Sequence, residues 1–261
     1  MTALVYPLLA VIGIAISAHL WERATADRAV RQRLSLVFLG GLFGMAAGAP
    51  LGFALAEGLW ALPPDAPLSS LQTWQVIFGG KTVTGGLLGA YAGVELAKRA
   101  VGHAQPTGDL FALTVPFSLM LGRVGCLVEG CCLGRPIDAA WYAIRDAHGV
   151  PRWPASLVEL GFNAVFLAAA YAWARAHEDA ARPNPLRGQL FHVYLIAYGL
   201  FRFGHEWLRD TPRLWHGMTA YQGLALLLAL LGVARFVQRA AAGAETKVDR
   251  LDLPEGQSSP S

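Results

Sequence analysis

Apolar stretches alternate with short polar or basic segments along the whole chain. They cover residues 3–21, 34–56, 76–96, 110–126, 154–174, 189–207 and 218–237. A helix needs about 20 predominantly apolar residues to cross the hydrocarbon core of a bilayer. The pattern therefore predicts an all-α membrane protein with seven transmembrane helices. The third, fourth and sixth stretches are the least uniform, because charges and glycines interrupt them: Lys81 and Glu95, Arg123, then Arg202 and Glu206. Intramembrane charge is costly and usually marks a functional interior, so these irregular stretches are where chemistry is expected.

Composition agrees with the pattern. Charged residues make up 15% of the 261 and hydrophobic residues 54%, well below the charge of about 25% in soluble domains. The net charge of +3 says less than its placement. Arg23, Arg28, Arg31 and Arg33 fill the first loop, Lys98 and Arg99 the third, and Arg175, Arg182 and Arg187 the fifth. Arg235, Arg239, Lys247 and Arg250 follow the last stretch, whereas residues 57–75 hold no Lys or Arg. Basic loops stay in the cytoplasm, which places the N-terminus outside and the C-terminus in the cytoplasm. No Lys or Arg precedes the first apolar run, so it reads as an inserted helix and not as a cleaved leader. One domain over residues 1–240 is expected. Residues 241–261 read as a disordered cytoplasmic tail.

The densest polar segment runs from Gly122 to Arg135 and combines two arginines, a glutamate, three cysteines and four glycines. Glycine-broken polar backbone at membrane depth is tolerated where protein or a wet cavity surrounds it, so this segment reads as the wall of a buried polar site. Tyr198, Arg202, Glu206 and Arg209 recur at helical spacing on one face. An arginine here is either one half of a structural ion pair with Glu206 or an anion clamp oriented by it, since the guanidinium fork matches two phosphate oxygens; His205 falls off this face. Glycines around residues 79–89 fit close helix packing. Lys81 among them either snorkels outward or faces the cavity. Glu95 fits a pair with Lys98 or Arg99. Ser156 and Glu159 fit a helix-capping box, with Glu159 turned toward Arg123 or Arg202 as the alternative.

All three cysteines, Cys126, Cys131 and Cys132, lie within this one segment. Small buried side chains explain them without chemistry. A disulfide from Cys126 to Cys131 or Cys132 is an alternative. A structural zinc site wants four ligands, and three thiols without a nearby histidine fall short of it, so no metal and no cofactor are expected.

With these motifs in hand, the chain resembles the prolipoprotein diacylglyceryl transferases. Their hallmark, roughly G-R-x-G-N-F-x-N-G-E-x-x-G-R, is matched from Gly122 to Arg135 by Gly122, Arg123, Gly125, Gly130, Gly134 and Arg135. A preceding Asp and Pro are matched by Asp109 and Pro116. An H-G-G-L-x-G segment is matched by Thr84-Gly85-Gly86-Leu87-Leu88-Gly89, and H-P-S-Q-L-Y-E by Trp153-Pro154 through Glu159. G-Y-G-x-x-R-F-x-x-E-x-x-R is matched from Tyr198 through Arg202 and Glu206 to Arg209, and Gln222 opens the last helix as a glutamine does in the family.

The resemblance implies a seven-helix, multi-pass enzyme of the bacterial inner membrane. Such an enzyme transfers diacylglyceryl from phosphatidylglycerol to the lipobox cysteine of a prolipoprotein, with membrane lipids as its surroundings and no nucleic acid partner. Arg123, Glu129, Arg202 and Glu206 are then the expected catalytic residues. Tyr6, Lys81, Thr84, Gly85, Gly86, Cys126, Cys131, Gly134, Arg135 and Glu159 are the expected substrate-binding residues, with Gly134 allowing close approach of the lipid headgroup. The departures are specific. The family's histidine is Thr84 here, its asparagines are Cys126 and Glu129, and its glutamate is Cys131. A threonine is no base at pH 7, which leaves Lys81 or Glu129 for that role. A cysteine that itself accepted diacylglyceryl would end as a thioether, which does not release its carbon; the thiols fit acyl chemistry, a disulfide or metal better. Two readings stand beside the family activity: a diverged enzyme moving a lipid group to another acceptor, and a non-enzymatic phospholipid-binding membrane protein.

Overall fold

The computed structural model describes residues 5–23, 25–177, 184–214 and 216–251, and it is mostly helical. Helix α1 (Val5–Arg23) leads into α2 (Arg28–Phe53), whose N-cap Asp27 accepts the amides of Ala29 and Val30 at 2.8 and 3.3 Å. α2 contains Pro50 and loosens into a π-helical turn, Ala54–Gly58. Next come α3 (Leu71–Phe78), α4 (Val83–Ala100), α5 (Gly108–Val128), α6 (Ala155–Ala176), α7 (Leu190–His205) and α8 (Ala220–Leu251). A short antiparallel pair, β1 (Ile144–Arg145) and β2 (Pro151–Arg152), sits between α5 and α6, with Ile144 opposite Arg152.

Among the described residues, four stretches are long and apolar enough to cross a membrane: Arg28–Gly58, Gly108–Val128, Ala155–Ala176 and Ala220–Ala241. The expected third span, residues 76–96, is not one helix. α3 stops at Phe78, and Gly79 to Thr82 break the rod before α4 begins. Two adjacent glycines weaken helix, and Thr82 is extended (φ −121°, ψ 137°) with its amide bonded to the Ala49 carbonyl at 3.1 Å. α8 continues past residue 240 to Leu251, and residues 252–261 of the expected tail lie outside the described residues.

α2 and α4 pack glycine against glycine. Gly44 and Gly48 of α2 face Gly85, Gly89 and Gly93 of α4, and a Cβ on Gly89 would come within 2.8 Å of the Gly48 Cα. Without side chains between them the backbones touch, which is how helices associate where lipid supplies no hydrophobic drive.

Aromatic rings build the core between the other helices. Trp21 of α1 meets Phe111 of α5 at 4.5 Å between centroids; Phe111 meets Phe191 of α7 at 5.6 Å; Phe191, Tyr194 and Tyr198 then stack along α7 at 5.9 and 5.6 Å. Tyr194 and Tyr198 are fully buried, so their hydroxyls must find partners inside the bundle. Those partners belong to the polar site.

α8 opens with a reciprocal capping box: Thr219 Oγ1 accepts the Gln222 amide at 3.2 Å, and Gln222 Oε1 accepts the Thr219 amide at 2.9 Å. At the opposite end of the bundle, Asp109 of α5 accepts the amides of Gly188 and Leu190 at 2.7 and 3.3 Å, tying the start of α7 to α5. Glu95 lies 3.9 Å from Lys98, as expected, and 3.7 Å from Arg235 of α8.

Candidate active site

Three helices carry the charged centre. Arg123 stands near the end of α5, Glu159 one turn into α6, and Arg202 near the end of α7. All three are buried, Glu159 completely. Arg123 Nη2 donates to Glu159 Oε1 at 2.5 Å, and the Tyr198 hydroxyl donates to the same oxygen at 2.7 Å. One turn further along α6, the Asn163 amide donates to the Glu159 carbonyl at 2.8 Å and accepts from the Tyr194 hydroxyl at 2.8 Å. The aromatic column of α7 thus ends in two hydroxyls that fix α6 and its glutamate.

The second ion pair lies alongside. Arg202 Nη1 is 2.5 Å from Glu206 Oε2, across the junction between α7 and the 3₁₀ turn Glu206–Leu208. Thr211 donates to Glu206 Oε1 at 2.6 Å, and Arg209 Nε stands 3.9 Å from Oε2. Glu159 feels the charges of Arg123, Arg202 and Arg209 together. Three guanidiniums therefore face two carboxylates, an excess of one positive charge among these five groups. Burial, and next the neighbouring Arg202, lower the Arg209 guanidinium from its ordinary value. Its Nη1 is buried with no partner among the described residues. Such a site gains by admitting an anion.

His205 corrects the helical-wheel expectation: it is buried, and its Nε2 accepts the Trp153 indole N–H at 3.1 Å. Acceptance at Nε2 assigns the proton of the neutral ring to Nδ1. Nδ1 is buried and, among the described residues, unpartnered, a second N–H free to point at a ligand.

A lid of backbone closes the site. Gly134 N–H donates to the Trp153 carbonyl at 2.8 Å, Trp153 N–H to the Arg135 carbonyl at 3.0 Å, and Arg135 N–H to the Leu208 carbonyl at 3.0 Å. A Cβ on Gly134 would fall 2.7 Å from the Trp153 Cβ. A side chain here would collide with Trp153 and with the Leu208 carbonyl, so the glycine allows the backbone segments to meet. Arg152 braces the lid, reaching Asp146 at 2.9 Å and Asp210 at 2.7 Å. Burial pushes the Asp146 carboxyl up, but hydrogen bonds from Arg152 and from the amides of Val150 and His148 outweigh it and leave it below its ordinary value.

The cysteines converge at the end of α5. Gly130, at φ 65°, closes the helix in a Schellman motif: its N–H bonds the Leu127 carbonyl at 3.3 Å, and the Cys131 N–H bonds the Cys126 carbonyl at 3.0 Å. Cys132 takes the left-handed region at φ 58°. Ser156 does not cap α6; it donates to the Cys132 carbonyl at 3.2 Å. The three sulfurs lie within 4.8 Å of one another, with Cys126 Sγ 3.8 Å from Cys132 Sγ and 3.9 Å from Arg123 Nη1. The hydrogen bond from Cys126, with Arg123 and Arg209 nearby, lowers the Cys132 thiol against the cost of burial; burial raises the Cys131 thiol.

The structure thus brings Arg123, Glu159, Arg202, Glu206 and Cys126 together, with Cys131 and Gly134 at the rim. Other expected residues stand apart. Glu129 is exposed at the C-cap of α5, close enough to Cys131 to act on its charge. Arg135 is exposed and lines a surface depression of about 650 Å³ with Pro136, Asp138 and Tyr142. Lys81 is exposed in the break before α4. Thr84 is buried and bonded to Thr82 at 2.8 Å, Gly85 packs on Gly48 and Gly52, and Gly86 faces Met45 and Ala49. Tyr6 lies on α1, with its side chain outside the described residues.

Comparisons with known proteins bear on this arrangement. The family model described as prolipoprotein diacylglyceryl transferase matches residues 2–238. The chain is 29% identical over 245 residues to a phosphatidylglycerol–prolipoprotein diacylglyceryl transferase of Bordetella bronchiseptica, covering 89% of each protein. It is 31% identical over 245 residues to that of Methylococcus capsulatus, covering 87% of each. It is 33% identical over 220 residues to that of Rhodospirillum centenum, covering 81% of this chain and 77% of the relative. A match over nearly the whole length, with the arginine and glutamate pairs at the centre of the fold, means that the chain belongs to the prolipoprotein diacylglyceryl transferase family.

Proposed function

We propose that this protein transfers the diacylglyceryl group of phosphatidylglycerol to the lipobox cysteine of a prolipoprotein, in lipoprotein biogenesis. The observation that carries the reading is the buried cluster in which Arg123, Arg202 and Arg209 outnumber Glu159 and Glu206. Cleaving the glycerol carbon–phosphate oxygen bond gathers a second negative charge on the departing glycerol phosphate. Preorganised donors aimed at that charge, in a site that excludes water, are the strongest means of stabilising it. In this reading Arg202 and Arg209 hold the phosphate, Arg123 is oriented by Glu159, and His205 Nδ1 supplies a further N–H.

The same reading places the site at the outer face of the inner membrane. Seven spans rest on the seven apolar stretches, and an N-terminus outside with a cytoplasmic C-terminus rests on the distribution of Lys and Arg. The Arg135 depression, beside the lid, is the natural seat of the acceptor segment. Lys81 or Glu129 as replacement base has the weaker support, since both are exposed and not buried with the arginines.

The test is release of glycerol phosphate from phosphatidylglycerol in lipid nanodiscs. Release that requires a lipobox peptide bearing cysteine, and fails with the serine peptide, is the expected result. Release independent of the acceptor thiol would make the protein a phospholipid hydrolase instead.

A further inference from the structure

Three thiols gathered at one point, beside an arginine cluster built for a phosphate, are not needed to close the fold. Packing alone requires no convergence of sulfur, and the chain reaches this arrangement through two left-handed residues in succession but one, Gly130 and Cys132. For Gly130 that conformation is free; for a cysteine it is strained and persists where the surroundings enforce it. Ser156 supplies part of that enforcement through the Cys132 carbonyl. The result is that Cys126, Cys131 and Cys132 present their sulfurs to a common centre.

We propose that Cys126, Cys131 and Cys132 form a three-thiolate zinc site whose open fourth position takes the thiol of the acceptor cysteine. This rests on the transferase reading above for its acceptor. The spacing fits the metal. At a zinc–sulfur distance of about 2.3 Å, two sulfurs of a tetrahedron stand about 3.8 Å apart, and Cys126 Sγ and Cys132 Sγ are separated by 3.8 Å. The Cys131 sulfur, within 4.8 Å of both, closes the set with a shift of about 1 Å. Three protein ligands and one open position distinguish a reactive zinc from a structural one. A thiolate donor set also selects this class of metal over harder cations.

The chemistry answers a need that the residues otherwise leave open. The reaction alkylates a thiol, and Thr84, which the resemblance sets at the family's histidine position, is no base. A thiol that coordinates zinc is deprotonated outright. The acceptor thiol would release its proton to water on binding zinc, and the zinc-held thiolate would attack the glycerol carbon. The carbon–sulfur bond forms as the carbon–oxygen bond breaks, and the bonding pair leaves with glycerol phosphate as a dianion. The thioether product is neutral and a poor ligand, so it leaves the metal. Arg123, 3.9 Å from Cys126 Sγ, offsets the negative charge of a zinc with four thiolates. It also links the metal to the arginine cluster that receives the phosphate. None of the three cysteines is alkylated, which avoids the dead-end thioether.

The experiment uses the full-length protein, purified in detergent with a phosphine reductant and dialysed against buffered zinc. Elemental analysis is expected to find about one zinc per chain, with sulfur neighbours at about 2.3 Å by X-ray absorption. Cys126→Ser, Cys131→Ser and Cys132→Ser should each weaken retention more than about tenfold. In cobalt-exchanged protein, the sulfur-to-cobalt charge-transfer band should grow when a cysteine lipobox peptide is added, and not when the serine peptide is. Absence of zinc from the reduced, folded protein, or retention undiminished in the serine variants, overturns the site. Zinc bound with no spectral response to the cysteine peptide overturns the acceptor role. A metal site that responds to the peptide while no lipid is transferred would leave this inference standing and sink the transferase reading.

Discussion

Glu159→Gln separates charge from hydrogen bonding at the centre of the site. Both Arg123 and Tyr198 donate to Oε1 of Glu159, and Oε2 has no donor among the described residues. Glutamine can therefore keep both bonds through its carbonyl oxygen while its amide takes the place of Oε2. What it removes is the countercharge of a guanidinium that is itself buried. Removing one partner of a buried ion pair costs about 3–5 kcal/mol. With both hydrogen bonds retained the loss should fall at the low end, about 3 kcal/mol, which for a chain of this size lowers the melting temperature by about 6–12 °C. Tyr198→Phe removes a single bond to a charged acceptor and should cost about 1.5–3 kcal/mol. Thermal unfolding in detergent, followed by tryptophan fluorescence, measures both. In the pair Arg123→Leu and Glu159→Leu, the double variant should be more stable than the sum of the single losses implies, because it leaves no orphan charge. Additive losses, or a Glu159→Gln protein as stable as the parent, would refute the claim that Glu159 is there to neutralise Arg123.

Other expectations follow from the same geometry. Arg202→Lys keeps the charge but loses the planar fork, and should cut the transfer rate by about 10²–10³-fold without loss of folded protein; activity within a few-fold of the parent would deny Arg202 the phosphate. Gly89→Ala should destabilise by about 1–3 kcal/mol through overpacking, since its Cβ would meet α2 backbone, whereas Gly161→Ala, with open space around it, should stabilise by up to about 1 kcal/mol; melting temperatures of the two variants test this contrast. Asp146 is held below its ordinary value, so its contribution to the lid is complete above the ordinary carboxylate pKa and is lost as pH falls through the lower, folded value. Hydrogen exchange at the Val150 and His148 amides should accelerate over that acidic window and not above it; acceleration near neutrality would contradict the assignment.

The charged centre was legible because charge inside apolar stretches is rare enough to notice. Arg123, Glu159, Arg202 and Glu206 all stood out, and all meet in space. Their partners were less legible for a physical reason. Ser156 and Glu159 have the spacing of a capping box, but Arg123 on another helix outcompetes a local amide for the carboxylate, and a carbonyl from the α5–α6 connection takes the serine. His205 was set aside too early: it stands three residues after Arg202 and seven after Tyr198 in the last turn of α7, which puts it on their face, and Trp153 arrives from the lid to meet it. Asn163 and Tyr194 carried a signal that was there to use: an amide one turn after Glu159, and a tyrosine one turn before Tyr198. The break at Gly79–Thr82 was hidden because apolar residues on both sides average it away, although the glycine pair marked it. The meeting of the three sulfurs depends on Gly130 ending α5 and on Cys132 adopting a backbone region that no local pattern announces for cysteine.

The central claim is that the excess positive charge of the buried cluster serves transfer of a lipid group to a thiol. Mass spectrometry of a lipobox peptide, after incubation with the protein and phosphatidylglycerol in nanodiscs, tests it most directly. The account predicts a diacylglyceryl thioether on the peptide cysteine, absent with Arg202→Ala protein. An unmodified peptide, with the protein folded and phosphatidylglycerol bound, would contradict it.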